Sequence, residues 1–221
     1  MFRTYHLTVA RARDTINVEA LTAMAIATTT QLTYADYLAL PEEKRRYEII
    51  DGVLIMPPPP SFGHNVIADD LTDILKRYVR PRRLGYVVSA PCDVLISREP
   101  LRTRQPDVLF ISQKRLGVRT LRELLKVPFL ETAPELVIEI LSPSNRPGSL
   151  RQKIDDYCAV GVNECWVVDP QSESLEVLQL SPEGAAPAGE FRGNELIVSR
   201  GDLIPTNALP GLDARVAEIF D

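Results

Sequence analysis

Residues 134–141 read PELVIEIL, and no other stretch constrains the chain as tightly. The run has the length and β-branched content of a buried strand. Leu136, Ile138 and Ile140 would face one side, and Val137, Glu139 and Leu141 the other. Glu139 is the anomaly. An ionised carboxylate in apolar surroundings is costly unless a cation binds it or hydrogen-bond donors satisfy it. Any fold that buries this strand must bring a partner to Glu139, and that partner is a clue to function.

Strands and helices interleave on either side of the run. Thr33 can cap a helix whose apolar stripe is Tyr34, Tyr37 and Leu38. In RRYEIIDGVLIMPPPP, Asp51-Gly52 between two apolar runs signals a hairpin, and the prolines stop its second strand. Val66, Ile67, Leu71, Ile74, Leu75 and Tyr78 recur at helical spacing over 64–79. Residues 85–96 read as a strand kinked at Pro91, and 105–112 as another. The segment 113–126 reads as a helix with Leu116, Leu121, Leu124 and Leu125 inward. After the Glu139 strand comes LRQKIDDYCAVG, a helix closed by Gly161. NECWVVD and SLEVLQL are strands joined by a turn, followed by a strand near ELIVS and a helix at DARVAEIF. This order predicts an α/β fold, bordering on α+β, as a single domain with a mixed central sheet flanked by helices. Residues 1–30 lack sustained periodicity and read as a tail, with Met24 an alternative start; the domain is expected over 31–221.

Composition narrows the class of protein. With 221 residues, 45% hydrophobic and 25% charged, the chain has an ordinary globular balance. No apolar run nears the ~18 residues that span a bilayer, and the N-terminus has no signal-peptide core, so a cytoplasmic protein is expected. Cys92, Cys158 and Cys165 are odd in number and show no CxxC spacing, so they read as small packing residues. The net charge is -5, yet residues 76–126 hold 13 Lys or Arg against 4 Asp or Glu. KRYVRPRR (76–83) and the run 113–126 form a basic strip only if they share a surface; otherwise they are solvated faces.

Asp107 follows Pro106 at the start of a strand, Glu139 lies within the next, and Lys153 lies in the helix beyond. At 100° per residue Lys153 falls on the flank of the face formed by Leu150, Ile154, Tyr157 and Cys158, so its stem can lie along the core while its ammonium reaches back to the sheet. Carboxylates on neighbouring strands repel unless a cation sits between them. Mg²⁺ or Mn²⁺ would suit them, with the Ile140 carbonyl as a third oxygen. Such an ion activates water and shields a phosphodiester, and a lysine beside it can orient the water or stabilise the transition state. Each residue alone also has an ordinary structural explanation: a turn, an ion pair or a solvated flank.

PDVLFIS, PELVIEILSPSN and KIDDYCAVGVNECWVVDP, with YEIIDGVLIMPPPPSFGH upstream and LPGLDARVAEIF at the end, resemble the Uma-type family of proposed bacterial endonucleases. That family was long catalogued as a domain of unknown function and is placed in the restriction-endonuclease-like PD-(D/E)XK superfamily. The resemblance covers about residues 32–221. It implies a metal-dependent DNA endonuclease on a restriction-endonuclease-like fold, in which Asp107 matches the PD aspartate and Glu139 the (D/E) position. The usual lysine site, two residues after the second carboxylate, is Leu141 here, and Lys153 fits the place of a lysine moved to the next helix. Glu48 resembles an additional acidic position of the metal site. His64 matches a histidine after the proline-rich loop, and Gln105 a polar position beside the PD motif that could touch a water or phosphate. A homodimer is the usual assembly when two strands are cut. The acidic total charge and the displaced lysine leave a second expectation: a non-catalytic nucleic-acid-binding or assembly module on the same fold. No glycine-rich phosphate loop, GxSxG or HExxH is present to suggest a small-molecule enzyme.

Overall fold

The computed structural model describes residues 31–40, 46–142, 147–187 and 197–221. The expected tail and the alternative start at Met24 lie outside them. In chain order the elements begin with helix α1 (Tyr34–Leu38), strands β1 (Glu48–Ile50) and β2 (Val53–Ile55), and the long helix α2 (Phe62–Arg82). Then come β3 (Gly85–Ser89), β4 (Val94–Arg98), β5 (Leu101–Arg104), β6 (Val108–Ser112), and the short helices α3 (Gln113–Leu116) and α4 (Leu121–Leu124). β7 (Leu136–Ile140), α5 (Pro147–Val160), β8 (Glu164–Asp169), β9 (Ser174–Ser181), β10 (Gly184–Pro187) and β11 (Ile197–Ser199) follow, and a 3-10 turn over Val216–Ile219 closes the chain.

The apolar run PELVIEIL becomes β7, and all five of its residues are buried. It lies inside a mixed sheet of order β10-β9-β8-β7-β6-β3, with β11 also on β9. Only β7 and β8 run parallel among the described pairs of this sheet, and α5 supplies the crossover that parallel neighbours need. Both faces are covered, which is why the strand shows so little polar alternation. On one face Leu71, Ile74, Leu75 and Val79 of α2 pack over Val108, Phe110, Leu136, Ile138 and Ile140. On the other, Ile154, Tyr157 and Cys158 of α5 pack over Leu109, Ile111, Val137, Cys165 and Val167.

A second, antiparallel sheet of order β2-β1-β5-β4 adds to the expected single sheet. The expected kinked strand 85–96 is two strands: β3 pairs with β6 in the large sheet, and β4 with β5 in the small one. The chain changes sheets at the cis Ala90–Pro91 bond. β5 went unread because its sequence, LRTR, hides its burial: Thr103 and Arg104 are buried, and Arg104 is tolerated only because acids surround it. The hairpin at Asp51-Gly52 forms, with φ of 51° and 77° at the two residues.

Two helices are shorter than the periodicity predicts. The segment 113–126 breaks into α3 and α4 at Gly117, whose φ is 73°. Leu121 and Leu125, expected inward, are 71% and 79% exposed. One four-residue turn cannot lay a whole stripe on the core. At the C-terminus only the 3-10 turn forms, still burying Val216 and Ile219. Leu38, placed on the stripe of α1, is also exposed, whereas Tyr37 is buried.

At the edge of the large sheet, β3 meets β6 at glycine distance. A Cβ on Gly85 would lie 2.1 Å from the Ile111 carbonyl oxygen and 2.6 Å from Ser112 Cα, both backbone atoms. Gly85→Ala is expected to destabilise the fold by about 2–3 kcal/mol, because one strand must shift. Urea denaturation reads this as a lowered midpoint; an unchanged midpoint would mean that the edge yields freely.

Candidate active site

Asp107 precedes the first paired residue of β6, Val108, which stands opposite Ile138. Its N–H donates to the Ile138 carbonyl at 3.0 Å, and its Oδ2 accepts from the Ile140 N–H at 2.7 Å. These contacts place Asp107 beside Glu139 at the end of the β6–β7 pair. Glu139 projects toward α5 with Val137, where Lys153 and Tyr157, one turn apart, stack on the same helix face. Lys153 Nζ lies 2.9 Å from Glu139 Oε2, and the Tyr157 hydroxyl donates to Oε1 at 2.6 Å. Within the protein itself, Lys153 is therefore the cation that makes a buried Glu139 tolerable.

Glu48 arrives from the small sheet. Its Oε1 is 3.1 Å from the same Lys153 ammonium, and its Oε2 accepts from Arg104 at 2.8 Å. Arg104 in turn meets Asp156 of α5 at 2.7 Å, and so does Arg102. The chain of ion pairs Glu139–Lys153–Glu48–Arg104–Asp156 ties the small sheet to α5. The other oxygen of Asp107, Oδ1, takes His64 Nε2 at 3.0 Å and the Arg46 guanidinium. Arg46 also donates to the Gln105 carbonyl at 2.6 Å. Among the described residues His64 Nδ1 is buried without a hydrogen-bond partner.

The charges sit in a low-dielectric place and act on one another. Burial pushes Asp107 up, but His64, Arg46 and the Ile140 amide outweigh it and hold the carboxyl at about 2, below the ordinary 3.8. Burial lifts Glu139 instead, with neighbouring Asp107 adding to the rise and Lys153 only partly offsetting it. Burial also lowers Lys153, yet Glu139 and Glu48 together raise it above its ordinary value, so its ammonium stays charged. Glu48 is held low by Lys153 and Arg104 against its own burial.

A depressed carboxyl contributes stability above its unfolded value, near 4, and that stability is lost as pH falls toward 2. For Asp107 the amount is on the order of 2 kcal/mol. The melting temperature should therefore drop over this window by more in the wild type than in Asp107→Asn. Parallel pH profiles would exclude the contribution.

A cleft of about 840 Å³ opens on Asp107. Met56, Pro57, Pro59 and Pro60 of the proline loop line it, with Ser89, Ala90 and Pro91 and with Arg46, His64 and Asn65. Asp107 and Glu139 with the Ile140 backbone form a hard oxygen donor set. Among the described residues no three His, Cys, Asp or Glu side chains gather as a metal cage, and both oxygens of Asp107 and of Glu139 are taken up by protein donors.

The other site residues read from the sequence fall elsewhere in the network. Gln105 is buried, its amide shared between the Asp93 carboxylate and the Tyr47 N–H. Arg46 is absent from the sequence expectations, and Tyr157 appears there only on the core face of its helix. Arg46 had one signal, its place two residues before Glu48 on the same side of an extended segment; Tyr157 had its place one turn beyond Lys153. The two basic runs meet where the Gln113 N–H donates to the Leu84 carbonyl at 3.0 Å. That junction lies at the far end of β6 from Asp107, roughly 17 Å away along five residues of strand. None of the helices among the described residues is long and apolar enough to cross a membrane. Cys158 and Cys165 are buried, Cys92 is half-buried, and all three are free thiols.

Two helix-covered sheet faces, with Asp107 and Glu139 on adjoining strands and Lys153 on the following helix, make up an α/β protein around a mixed sheet. The family model described as "Uma2: Putative restriction endonuclease" matches residues 34–217, and the chain belongs to this family. Among solved structures, it is similar to "a putative nuclease belonging to DUF820" from Anabaena variabilis. The TM-score is 0.68 at 20% identity, over 86% of this chain and 97% of that one, which establishes a shared fold. No curated protein matches the chain.

Proposed function

We propose that the protein is a metal-dependent endonuclease that hydrolyses phosphodiester bonds in DNA. The observation that carries the reading is that Lys153 pairs with Glu139 while Asp107, which accepts from the N–H of the next residue, Ile140, lines an open cleft. Asp107, Glu139 and the Ile140 carbonyl would hold Mg²⁺ or Mn²⁺, which lowers the pKa of a bound water and shields phosphate charge. Lys153 remains an ammonium, so it serves as a fixed positive charge that orients the attacking water and stabilises the crowded phosphorus centre, not as a base. Glu48 holds that ammonium in place. Arg46, now on Asp107, presents a planar fork suited to two phosphate oxygens. In the reaction, the water oxygen bonds to phosphorus, the bond from phosphorus to one sugar oxygen breaks, the water proton passes to solvent, and the leaving sugar oxygen takes up a proton from solvent. Cutting both strands of a duplex would take two copies of the chain.

A second reading rests on the completeness of the internal pairing. Both oxygens of Glu139 and both of Asp107 already have partners within the protein, as a non-catalytic nucleic-acid-binding module would need. Incubation of purified protein with supercoiled, linear and single-stranded DNA, in Mg²⁺, Mn²⁺ or chelator, separates the two. Metal-dependent products support the nuclease. Retention that weakens with salt and leaves no nicks supports the binding module.

A further inference from the structure

Lys153 reaches Glu139 from a helix, at the end of a flexible four-carbon stem. The helix alone does not fix where its ammonium stands. The small sheet supplies the rest. Ile49 of β1 stands opposite Thr103 of β5 in an antiparallel pair, which sets Glu48 opposite Arg104. On α5, Lys153 and Asp156 are three residues apart and so are neighbours on the helix surface.

The cross-strand pair and the helix pair close into a ring. Lys153 Nζ stands 3.1 Å from Glu48 Oε1, and Arg104 Nη1 donates to Glu48 Oε2 at 2.8 Å. Arg104 Nε donates to Asp156 Oδ2 at 2.7 Å, and one turn of α5 leads back from Asp156 to Lys153. Arg104 thus takes one oxygen of Glu48 and leaves the other to Lys153. A guanidinium is a planar fork that can hold two acids at once, which an ammonium on a flexible stem does less rigidly. Asp156 is itself anchored: Arg102 donates to its Oδ1 at 2.7 Å and to Asp51 of the β1–β2 turn at 2.6 Å. The Arg104 side chain is 2% exposed and Asp156 is buried, so water screens these contacts little.

We infer that Arg104 and Asp156 are positioning residues, which hold Glu48 in the orientation that fixes the Lys153 ammonium beside Glu139. Neither touches the reacting atoms. What the fixed ammonium does rests on the nuclease reading; its fixing does not. A ring that merely tied the small sheet to α5 would cost stability when opened and would leave the ammonium where it is.

Arg104→Gln opens the ring at both of its contacts. Asp156→Asn keeps the shape of the side chain and removes only its charge, and it decides the matter if Arg104→Gln does not fold. The first readout needs no activity. The chain has five lysines, so protein isotopically labelled at the lysine ammonium nitrogens gives a simple magnetic resonance spectrum, in which Lys153→Arg assigns the signal of interest. In the wild type the Lys153 ammonium should give a nitrogen–proton correlation, because Glu139 and Glu48 hold its protons from exchange. In the variant, at wild-type far-UV circular dichroism, that correlation should be lost. The second readout is plasmid cleavage in Mg²⁺. A displacement of about 1 Å costs on the order of a hundredfold in rate, so kcat should fall about tenfold or more while KM changes less than about twofold. An unchanged correlation overturns the inference whatever the melting temperature does, and so does an unchanged kcat; both leave the nuclease standing. If the wild type cuts no DNA, the nuclease reading falls and the ammonium correlation alone decides the positioning.

Discussion

Glu139→Gln should lose metal-dependent cleavage by a factor of about 10³ or more while the protein stays folded. Burial already favours the uncharged form of this side chain, so a neutral amide of the same shape removes a strained charge. Its oxygen can still accept from Tyr157, and Lys153 keeps Glu48 at 3.1 Å. The melting temperature should therefore move by only a few degrees. What the amide cannot do is carry the negative charge that a divalent ion needs. Several kcal/mol of transition-state stabilisation go with the ion, and about 4 kcal/mol equals a thousandfold in rate. Plasmid nicking in Mg²⁺ and Mn²⁺, with calorimetric titration of Mn²⁺, checks both parts. A Glu139→Gln protein that nicks at the wild-type rate would take Glu139 out of the chemistry and leave it a packing residue. Asp107→Asn should lose as much activity and more stability, because it leaves the Arg46 guanidinium without its carboxylate.

The second large effect concerns a buried acid on β8. Glu164 on β8 is fully buried, and its carboxylate collects five donors. The Trp166 indole and the Thr206 hydroxyl reach Oε1 at 2.7 and 2.6 Å. Gln179 and the N–H groups of Asn207 and Ala208 reach Oε2 at 2.6, 2.7 and 3.1 Å. One side chain thus pins the 206–208 loop, and with it the C-terminal residues that pack on α2, to the sheet. Glu164→Ala leaves five donors facing a cavity. Each unsatisfied buried group costs about 1–3 kcal/mol, so even with water entering, a loss of about 4 kcal/mol is expected. That corresponds to a fall in melting temperature of roughly 10 °C for a domain of this size. Hydrogen exchange should quicken first over residues 204–219. A melting temperature within 2 °C of wild type would mean that the loop is held by packing alone.

Glu139 and Glu164 were equally conspicuous as letters, acids in or beside apolar strands, but only one could be interpreted. Glu139 came with an Asp–Glu–Lys order and a family resemblance. Glu164 stood in the string NECWVVD, where nothing local names its partners, since three of its five donors come from residues 206–208. The same limit hid Arg46 and β5. Arg46 meets Asp107 across 61 residues, and Arg104 meets Glu48 across 56. Ion pairs closed over such distances leave no periodicity, and a buried arginine reads as exposed until its acids are located.

From its own order of residues the chain determined the large sheet, its long covering helix α2 and the crossover helix α5, because burial on both faces and helical spacing are local patterns of 5 to 21 residues. It also determined which acids and which lysine are candidates for chemistry. Tertiary structure alone decided that a small second sheet exists, that Lys153 lies between Glu139 and Glu48, that Arg46 and His64 guard Asp107, and that the basic runs meet at the far end of β6. Those outcomes depend on which distant segments touch, and a charge shows its purpose only when the opposite charge has been brought within a few ångströms of it.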